Sequence, residues 1–352
     1  MSVVAAWLHF SLKRIRIDNL SPVMRICVAT GWKPSELSDD DAKDGDAYHR
    51  ALYRDGSTND PVKWHKNSVE KLIEIANCHI SEGALVVDYG SGTGGSAIEL
   101  LKSLDDRGVR VELVLIDPLV SWFSKARSLL EDRDDVHFEL SIQKDVGGRT
   151  SFRRLEDILG GRKADVIISS STLHLIPEKT MGDLAMQFSG SLKKDGAFIW
   201  GSGDLESDLR PENSALLHDP YRAVRELLRH DGKRLEMMSG MTEDEAGRHE
   251  RRLDRIFPTP LSIEVILIAL SDAGFSSEIH DMVIPFSRED AENFALVPRL
   301  AEIASPLQVG DERDEAIKEA LKRVLNSIAD EGKGNERGYR SHWVFGCHRL
   351  NQ

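Results

Sequence analysis

Three closely spaced glycines follow a short run of β-branched residues and constrain this chain more than any other feature. The run Val86-Val87-Asp88 leads directly into Tyr89-Gly90-Ser91-Gly92-Thr93-Gly94, and a helical pattern begins after it. Glycine tolerates the left-handed backbone of a tight turn, and a helix N-terminus offers unpaired N–H groups. A strand, a glycine-rich turn and a helix in this order predict a nucleotide-like ligand at the carboxyl end of a parallel sheet.

Short apolar runs alternate with amphipathic segments along most of the chain. This alternation predicts an α/β fold, a doubly wound and mostly parallel sheet covered by helices on both faces. We predict seven strands, the last of them antiparallel, at residues 85–87, 111–116, 136–140, 166–169, 197–200, 277–286 and 339–348.

Two long helical segments interrupt the alternation, and each is too long for a plain connection. We interpret both as helical insertions that form a lid or substrate-binding cap, and the run Ser38–Asp41 as a solvated linker. The predicted organisation is an N-terminal extension (1–45), the first part of the α/β core (46–204), a helical insertion (205–258), more core (259–286), a second insertion (287–331) and the final strand (332–352).

The glycine string fits two classes of cofactor. Gly90, Gly92 and Gly95 match the GxGxxG fingerprint of dinucleotide sites, whereas Gly90, Gly92 and Gly94 preceded by Asp88 match DxGxGxG. A carboxylate at the end of the strand is unfavourable beside a pyrophosphate. It suits a ligand that carries a cationic amino group and a sulfonium.

A second acidic residue, Asp117, ends the next predicted strand. Both cofactor classes place a carboxylate there to accept hydrogen bonds from ribose hydroxyls. Asp117 therefore indicates an adenosine-type ligand without choosing between the classes, and Pro118 follows as an apolar neighbour of the adenine.

The segments 88–94, Asp117, 164–170 and 257–275 together resemble the class I S-adenosylmethionine-dependent methyltransferases. The resemblance covers residues 65–204 and 257–350. It implies that S-adenosylmethionine is the cofactor and that Asp117 holds its ribose, with Pro118 beside the adenine. The residues implied to hold the methionine part are Asp88, Gly90, Ser91, Gly92, Gly94 and Ser170. The residue that contacts the adenine after the third strand stays open between Gln143 and Asp145.

The stretch after the fourth strand bears on the methyl acceptor. It reads Ser170-Ser171-Thr172-Leu173-His174-Leu175-Ile176-Pro177 and lacks the Asn/Asp-Pro-Pro-Tyr/Phe of the amino- and base-directed branches. Its Leu-His-x-x-Pro form looks like the small-molecule methyltransferases. The resemblance thus implies methyl transfer to an oxygen or nitrogen of a small molecule.

Candidate substrate residues lie in two segments. The resemblance places His174 near the methyl group as base or substrate orienter, and the alternative is a histidine bonded to the backbone at a strand exit. Tyr53 and His65 precede the first strand, in a region that folds over the cofactor in relatives; a helix packing aromatic residues on the sheet is the alternative.

Charge and cysteine content limit the partners. The chain has 46 Lys and Arg against 59 Asp and Glu, a net charge of -13, which disfavours nucleic acid as a partner. Its three separated cysteines and scattered histidines predict no metal site, and a short apolar start followed by positive charge predicts neither a secretory signal nor a membrane span. We therefore expect a cytoplasmic protein, with the apolar start offering a surface for a possible homodimer.

Two other functions remain open at this point. One is an NAD(P)-dependent oxidoreductase, which the GxGxxG overlap favours and Asp88 disfavours. The other is a catalytically inactive methyltransferase-like binding subunit.

Overall fold

The computed structural model describes residues 28–34, 36–144 and 147–351, so Cys27 and the apolar arm lie outside the described residues. The described helices are α1 (Asp39–Leu52), α2 (Lys63–Asn77), α3 (Gly95–Asp106), α4 (Val120–Leu130), α5 (Leu155–Ile158), α6 (Glu178–Ser191), α7 (Asp219–Arg229), α8 (Gly232–Ser239), α9 (Glu243–Arg255), α10 (Ile263–Asp272), α11 (Arg288–Ala295) and α12 (Asp311–Asp330). None of these helices is long and apolar enough to cross a membrane.

The described strands are β1 (Thr30–Gly31), β2 (Ala84–Tyr89), β3 (Val111–Asp117), β4 (Val136–Leu140), β5 (Ile142–Lys144), β6 (Thr150–Phe152), β7 (Ala164–Ser170), β8 (Leu192–Ser202), β9 (Leu205–Glu206), β10 (Leu261–Ser262), β11 (Phe275–Ser287), β12 (Gly334–Asn335) and β13 (Gly338–Leu350). The main sheet has the order β1-β4-β3-β2-β7-β8-β13-β11, and β12 pairs with β13. The strands from β1 to β8 in this order are parallel, while β13 is antiparallel to both of its long neighbours.

The sheet order places a switch point between β2 and β7. From β2 the chain moves outward through β3 and β4, and then returns to the other side of β2 with β7 and β8. A crevice opens at such a point because the connections leave the two neighbouring strands in opposite directions. The β2 residues are buried up to Asp88, as expected for a central parallel strand covered on both faces.

The predicted fold class is confirmed, including all seven predicted strands and the antiparallel last one. Sequence analysis missed the short strands β1 and β12, which extend the main sheet, and two small separate sheets, β5 with β6 and β9 with β10. Strands of two or three residues carry too little alternation to be detected.

The predicted linker at Ser38–Asp41 is wrong, because Asp39–Asp41 form the first turn of helix α1, which continues past residue 45. Ser38 is the N-cap of α1, and its side chain accepts a hydrogen bond from the backbone N–H of Asp41. Acidic residues in a first turn interact favourably with the helix dipole, so this charge run begins a helix.

Helix α11 ends at Ala295, and Pro298 cannot donate a helical hydrogen bond, so Phe294 and Ile303 do not lie on one helix. Helix α10 begins at Ile263, with Ser262 as its N-cap.

The two insertions pack mainly on each other, through α7 and α12, and α11 also packs on α1. The backbone N–H of Arg299 donates to the buried carboxylate of Asp44 on α1. Through α11 and Arg299, the second insertion therefore supports helix α1.

Candidate functional site

A cleft of about 270 Å³ opens where β2 and β7 end, which is the switch point of the sheet. One side is the glycine loop after β2 together with the end of β3, and the opposite side is the segment 170–176 after β7. Helices α1 and α2 contribute the wall that covers it. This volume lies near the lower end of the range for small-molecule sites.

The glycine loop is held in place by the neighbouring strand ends. The backbone N–H groups of Gly90 and Ser91 both donate to the carbonyl of Ile116 at the end of β3. Gly90 has a φ of 81°, and a Cβ there would lie 2.2 Å from Oγ1 of Thr172. Only glycine combines this left-handed backbone with such close packing, so the loop is pre-formed for a ligand.

Asp88 lies fully buried beneath this loop, and neither of its carboxylate oxygens has a hydrogen-bond partner among the described residues. Burial raises the pKa of Asp88 to about 8, and the charge of nearby Asp117 adds to the shift. An unpartnered buried carboxyl is costly, because it has lost water without gaining donors. A donor from a ligand would remove this cost.

Asp117 is also buried but has partners. It accepts hydrogen bonds from the backbone N–H groups of Gly92 (2.8 Å) and Leu119 (2.7 Å). Burial raises its pKa to about 6, although these two donors oppose the shift. The carboxylate thereby ties the glycine loop to the end of β3 and still lines the cleft.

Buried polar atoms without partners gather around this cleft. Besides the Asp88 oxygens, they are His65 Nε2, Trp64 Nε1, Ser91 Oγ, Thr93 Oγ1, Trp122 Nε1 and Ser141 Oγ, and all six of these residues line the cleft. Such atoms are rare in folded proteins and usually await water, an ion or a ligand. Their concentration indicates a ligand with several donors and acceptors.

An aromatic wall closes the cleft on the side of α1. The rings of Tyr48 and Trp122 stack with centroids 3.8 Å apart, and Trp64 stacks on Phe286 at 4.8 Å. Sequence analysis missed Trp122 as a site residue. Its position in the first turn after Asp117 was the available signal, because that turn must lie beside any ligand that Asp117 contacts.

Six of the eight predicted cofactor residues line the cleft, and the other two, Asp88 and Gly94, lie in the loop structure beneath it. The lining six are Gly90, Ser91, Gly92, Asp117, Pro118 and Ser170. Of the two candidates for adenine contact, Gln143 is exposed and does not line the cleft, and Asp145 lies outside the described residues; Ser141 lines the cleft instead.

Of the predicted substrate residues, the structure brings only His65 to the cleft. Its ring lies against the start of α3, where a Cβ on Gly95 would be 2.9 Å from Nε2. Burial lowers the pKa of His65 to about 3, so the ring is neutral near pH 7. Tyr53 is fully buried behind the wall, and its hydroxyl donates to Glu99 Oε1 at 2.8 Å.

His174 does not line the cleft either. Its Nδ1 lies 3.0 Å from Oγ of Ser202 and forms a hydrogen bond with it, and the same oxygen accepts from the backbone N–H of Asp204. Burial lowers the pKa of His174 to about 3. The His174 ring thus makes its hydrogen bond inside the wall, while its neighbours Leu175 and Ile176 line the cleft.

His174, Asp204 and His218 form a buried group with the composition of a metal site. Asp204 accepts four hydrogen bonds, two from Arg222 and two from the backbone N–H and Nδ1 of His218. A carboxylate offers about four acceptor positions, so all are used. Although burial alone raises the pKa of Asp204, His218 and Arg222 hold it well below its usual range. The group is a satisfied charge network.

The charges on the cleft are of one sign. Asp117 lines it and Asp88 lies beneath it, while no Lys or Arg among the described residues lines it. Pyrophosphate groups bind where N–H donors and cations surround them, and the carboxylate of Asp117 repels them. The cleft therefore favours a cationic ligand over a dinucleotide.

No protein-family model matches the chain, and no curated protein does. Among solved structures it is similar to a cyclopropane synthase from Mycobacterium tuberculosis (12% identity, 90% of this chain and 100% of the other, TM-score 0.47). It is also similar to phosphoethanolamine N-methyltransferase 2 from Haemonchus contortus with S-adenosylhomocysteine (12%, 90% and 59%, 0.47) and to the [4+2]-cyclase SpnF (13%, 83% and 85%, 0.44). At these values the likenesses assign no reaction and no acceptor to this chain.

Proposed function

We propose that this chain binds S-adenosylmethionine in the cleft and transfers its methyl group to an oxygen or nitrogen of an uncharged small molecule. The observation that carries the proposal is the buried, unpartnered carboxyl of Asp88 beneath a pre-formed glycine loop, in a cleft without cations among the described residues. The bound cofactor supplies a methyl group on a positively charged sulfur and a cationic amino group.

The residues of the cleft fit this ligand from end to end. Asp88 supplies a negative countercharge for the cationic amino group. Asp117 accepts hydrogen bonds from the ribose hydroxyls while keeping those from its two backbone donors. We assign the methionine carboxylate to the uncapped start of α3 and to His65 Nε2, which lies beside it. His65 then contacts the cofactor rather than the acceptor. Trp122 and Ser141 supply hydrogen-bonding groups and contact area for the adenine.

The lining residues that are not assigned to the cofactor indicate the chemical class of the methyl acceptor. Tyr48, Trp64, Leu175 and Ile176 are apolar or aromatic, and Thr172 adds a hydroxyl. A charged acceptor would lose its hydration there without gaining an opposite charge beyond the two carboxylates that the cofactor uses. We therefore assign an uncharged, partly apolar acceptor, aligned with the methyl group by shape.

The position of His174 favours one further candidate, an S-adenosylmethionine-binding subunit without turnover. A base beside the acceptor accelerates methyl transfer when the acceptor must lose a proton. With His174 inside the wall, the described cleft offers no histidine on the acceptor side. Formation of S-adenosylhomocysteine from a pool of small metabolites separates the two candidates, because only the enzyme produces it.

Calorimetric titration tests the cofactor assignment. We expect S-adenosylmethionine and S-adenosylhomocysteine to bind with dissociation constants in the micromolar range, about −8 kcal/mol. NAD and NADP should show no binding in the same experiment, because their pyrophosphates meet the carboxylate of Asp117 and no Lys or Arg among the described lining residues. Tight binding of a nicotinamide dinucleotide with no binding of S-adenosylmethionine would contradict the proposal and restore the oxidoreductase alternative.

Two histidine variants test the assignments of the wall. His65→Gln should weaken S-adenosylmethionine binding by about ten-fold, since a charge-assisted hydrogen bond contributes roughly 1.5 kcal/mol. His174→Gln, which alters a histidine behind the wall, should change the cofactor affinity by less than about two-fold, within the usual effect of a remote site. If calorimetry shows a larger loss of affinity for His174→Gln than for His65→Gln, then His174 and not His65 contacts the cofactor.

A further inference from the structure

A second groove, separate from the cleft, has a volume of about 550 Å³ and a basic lining. Its floor is the antiparallel ladder in which Phe286 of β11 pairs with Tyr339 of β13. The end of α1 and the start of α2 form one wall, and the start of α11 forms the other. The groove is therefore a concave site bounded on two sides by helices.

Five cations line this groove: Arg50, Arg54, Lys63, Arg337 and Arg340. Arg54 has one acidic partner, Asp60 at 3.6 Å, which is not part of the lining. The side chains of the other four make no ion pair and no hydrogen bond with any described residue. Against them the lining carries only Glu289 and Asp290.

Of the two acidic groups, Asp290 is already engaged. Its carboxylate accepts from the hydroxyl and the backbone N–H of Ser287, in the capping box that begins α11. The groove thus concentrates unpaired positive charge on a chain whose net charge is -13. Like charges in one concave site repel each other, and a bound anion relieves this repulsion.

We propose that this groove binds a small ligand carrying a phosphate group. Arginine forks and a lysine ammonium are the donors that proteins use for phosphate, and the arginines supply paired N–H groups that match its oxygens. The negative charge of the rest of the chain repels a long polyanion, and the two helical walls limit the length of the occupant. A compact phosphate ester therefore fits better than a nucleic acid.

The groove lies directly behind the cleft. Phe286, which lines the groove, stacks on Trp64, which lines the cleft, with ring centroids 4.8 Å apart. Helix α1 carries Tyr48 into the cleft and Arg50 into the groove. A single aromatic layer separates the two sites, but the groove does not depend on what the cleft binds.

Titration of the full chain with inorganic pyrophosphate at low ionic strength tests the proposal. We expect saturable binding that weakens as NaCl rises from about 0.05 to about 0.3 M, since salt screens the attraction. The double variant Arg337→Glu/Arg340→Glu should weaken binding by about ten-fold or more, because each change replaces a donor by a repelling charge.

The matched control is Lys179→Glu/Lys194→Glu, which changes the net charge equally at two exposed lysines that form no ion pair among the described residues and lie outside the groove. It should bind pyrophosphate as the wild type does. The milder pair Arg50→Gln/Lys63→Gln covers the case in which the reversal variant fails to fold. Equal losses in groove and control variants, no binding by the wild type, or binding of a single-stranded oligonucleotide in preference to pyrophosphate would each overturn the proposal.

Discussion

Replacing Asp88 by Asn is expected to weaken cofactor binding strongly while making the free protein more stable. The amide keeps the shape of the carboxyl but removes the negative charge that the cationic amino group requires. A hydrogen bond to a charged group contributes about 1.5–3 kcal/mol, so the affinity for S-adenosylmethionine should fall by roughly ten- to hundred-fold or more. Calorimetric titration of the two proteins measures this loss.

The gain in stability depends on pH in a defined direction. Burial raises the pKa of Asp88 to about 8, far above the value of about 3.9 for an unfolded chain. The folded protein therefore holds the proton that the unfolded chain releases, and its stability falls as pH rises from about 4 to about 8, by at most about 1.4 kcal/mol per pH unit. The Asn variant lacks this loss, so its advantage in the free energy of unfolding should grow from pH 5 to pH 8.

Asp106→Asn is the matched control, because Asp106 is an exposed carboxylate at the end of α3 that forms no ion pair with the described residues. It should change neither the cofactor affinity nor the pH dependence of urea denaturation. An Asp88→Asn protein that binds S-adenosylmethionine normally, or that is less stable than wild type at every pH, would show that Asp88 is not the cofactor's counter-charge.

Replacing Gly90 by Ala is the second change with a large expected effect. The alanine must adopt a φ of 81°, and its methyl group would lie 2.2 Å from Oγ1 of Thr172. Left-handed backbone costs an L-residue roughly 1–2 kcal/mol, and a clash in a packed site adds about 1–3 kcal/mol. We expect a fall of about 2–5 kcal/mol in the free energy of unfolding, together with weaker cofactor binding because the loop must shift.

Gly108→Ala separates these two contributions. Gly108 has a comparable φ of 65°, but a Cβ there meets no atom within 4 Å. The Gly108→Ala variant should lose only the backbone contribution to the free energy of unfolding, roughly 1 kcal/mol, and should bind the cofactor normally. Adding Thr172→Ala to Gly90→Ala removes the nearest clashing atoms and should restore part of the stability. Equal losses for Gly90→Ala and Gly108→Ala would mean that the loop does not require the close packing with Thr172.

The cofactor loop could be predicted from the sequence because the residues that form it are close together in the chain. Asp88, the three glycines and the start of α3 occupy consecutive positions, so their relation to a strand end and a helix start depends on short-range patterns. Asp117 follows from the same reasoning one strand later. The sheet that brings these two strand ends together follows from the alternation of strands and helices, which allows few arrangements.

The wall of the cleft could not be read in the same way. Tyr53 and His65 are twelve residues apart in similar surroundings, yet the packing of α1 and α2 on α3 turns one toward Glu99 and the other toward Gly95. His174 fits a family pattern, but its hydrogen bond with Ser202 holds it inside the wall. Each outcome depends on residues distant in the sequence.

The sequence by itself determined the mostly parallel sheet and the carboxylates beneath and beside the glycine loop, because short-range periodicity and backbone conformation specify them. Only the tertiary structure decided the strand order, and with it the switch point. It also decided which aromatic and histidine side chains face the cleft and that the second insertion packs on α1. It also gathered Arg50, Lys63 and Arg340 into one groove from segments far apart in the chain. Side-chain direction across helix contacts depends on packing between distant segments, which no local pattern encodes.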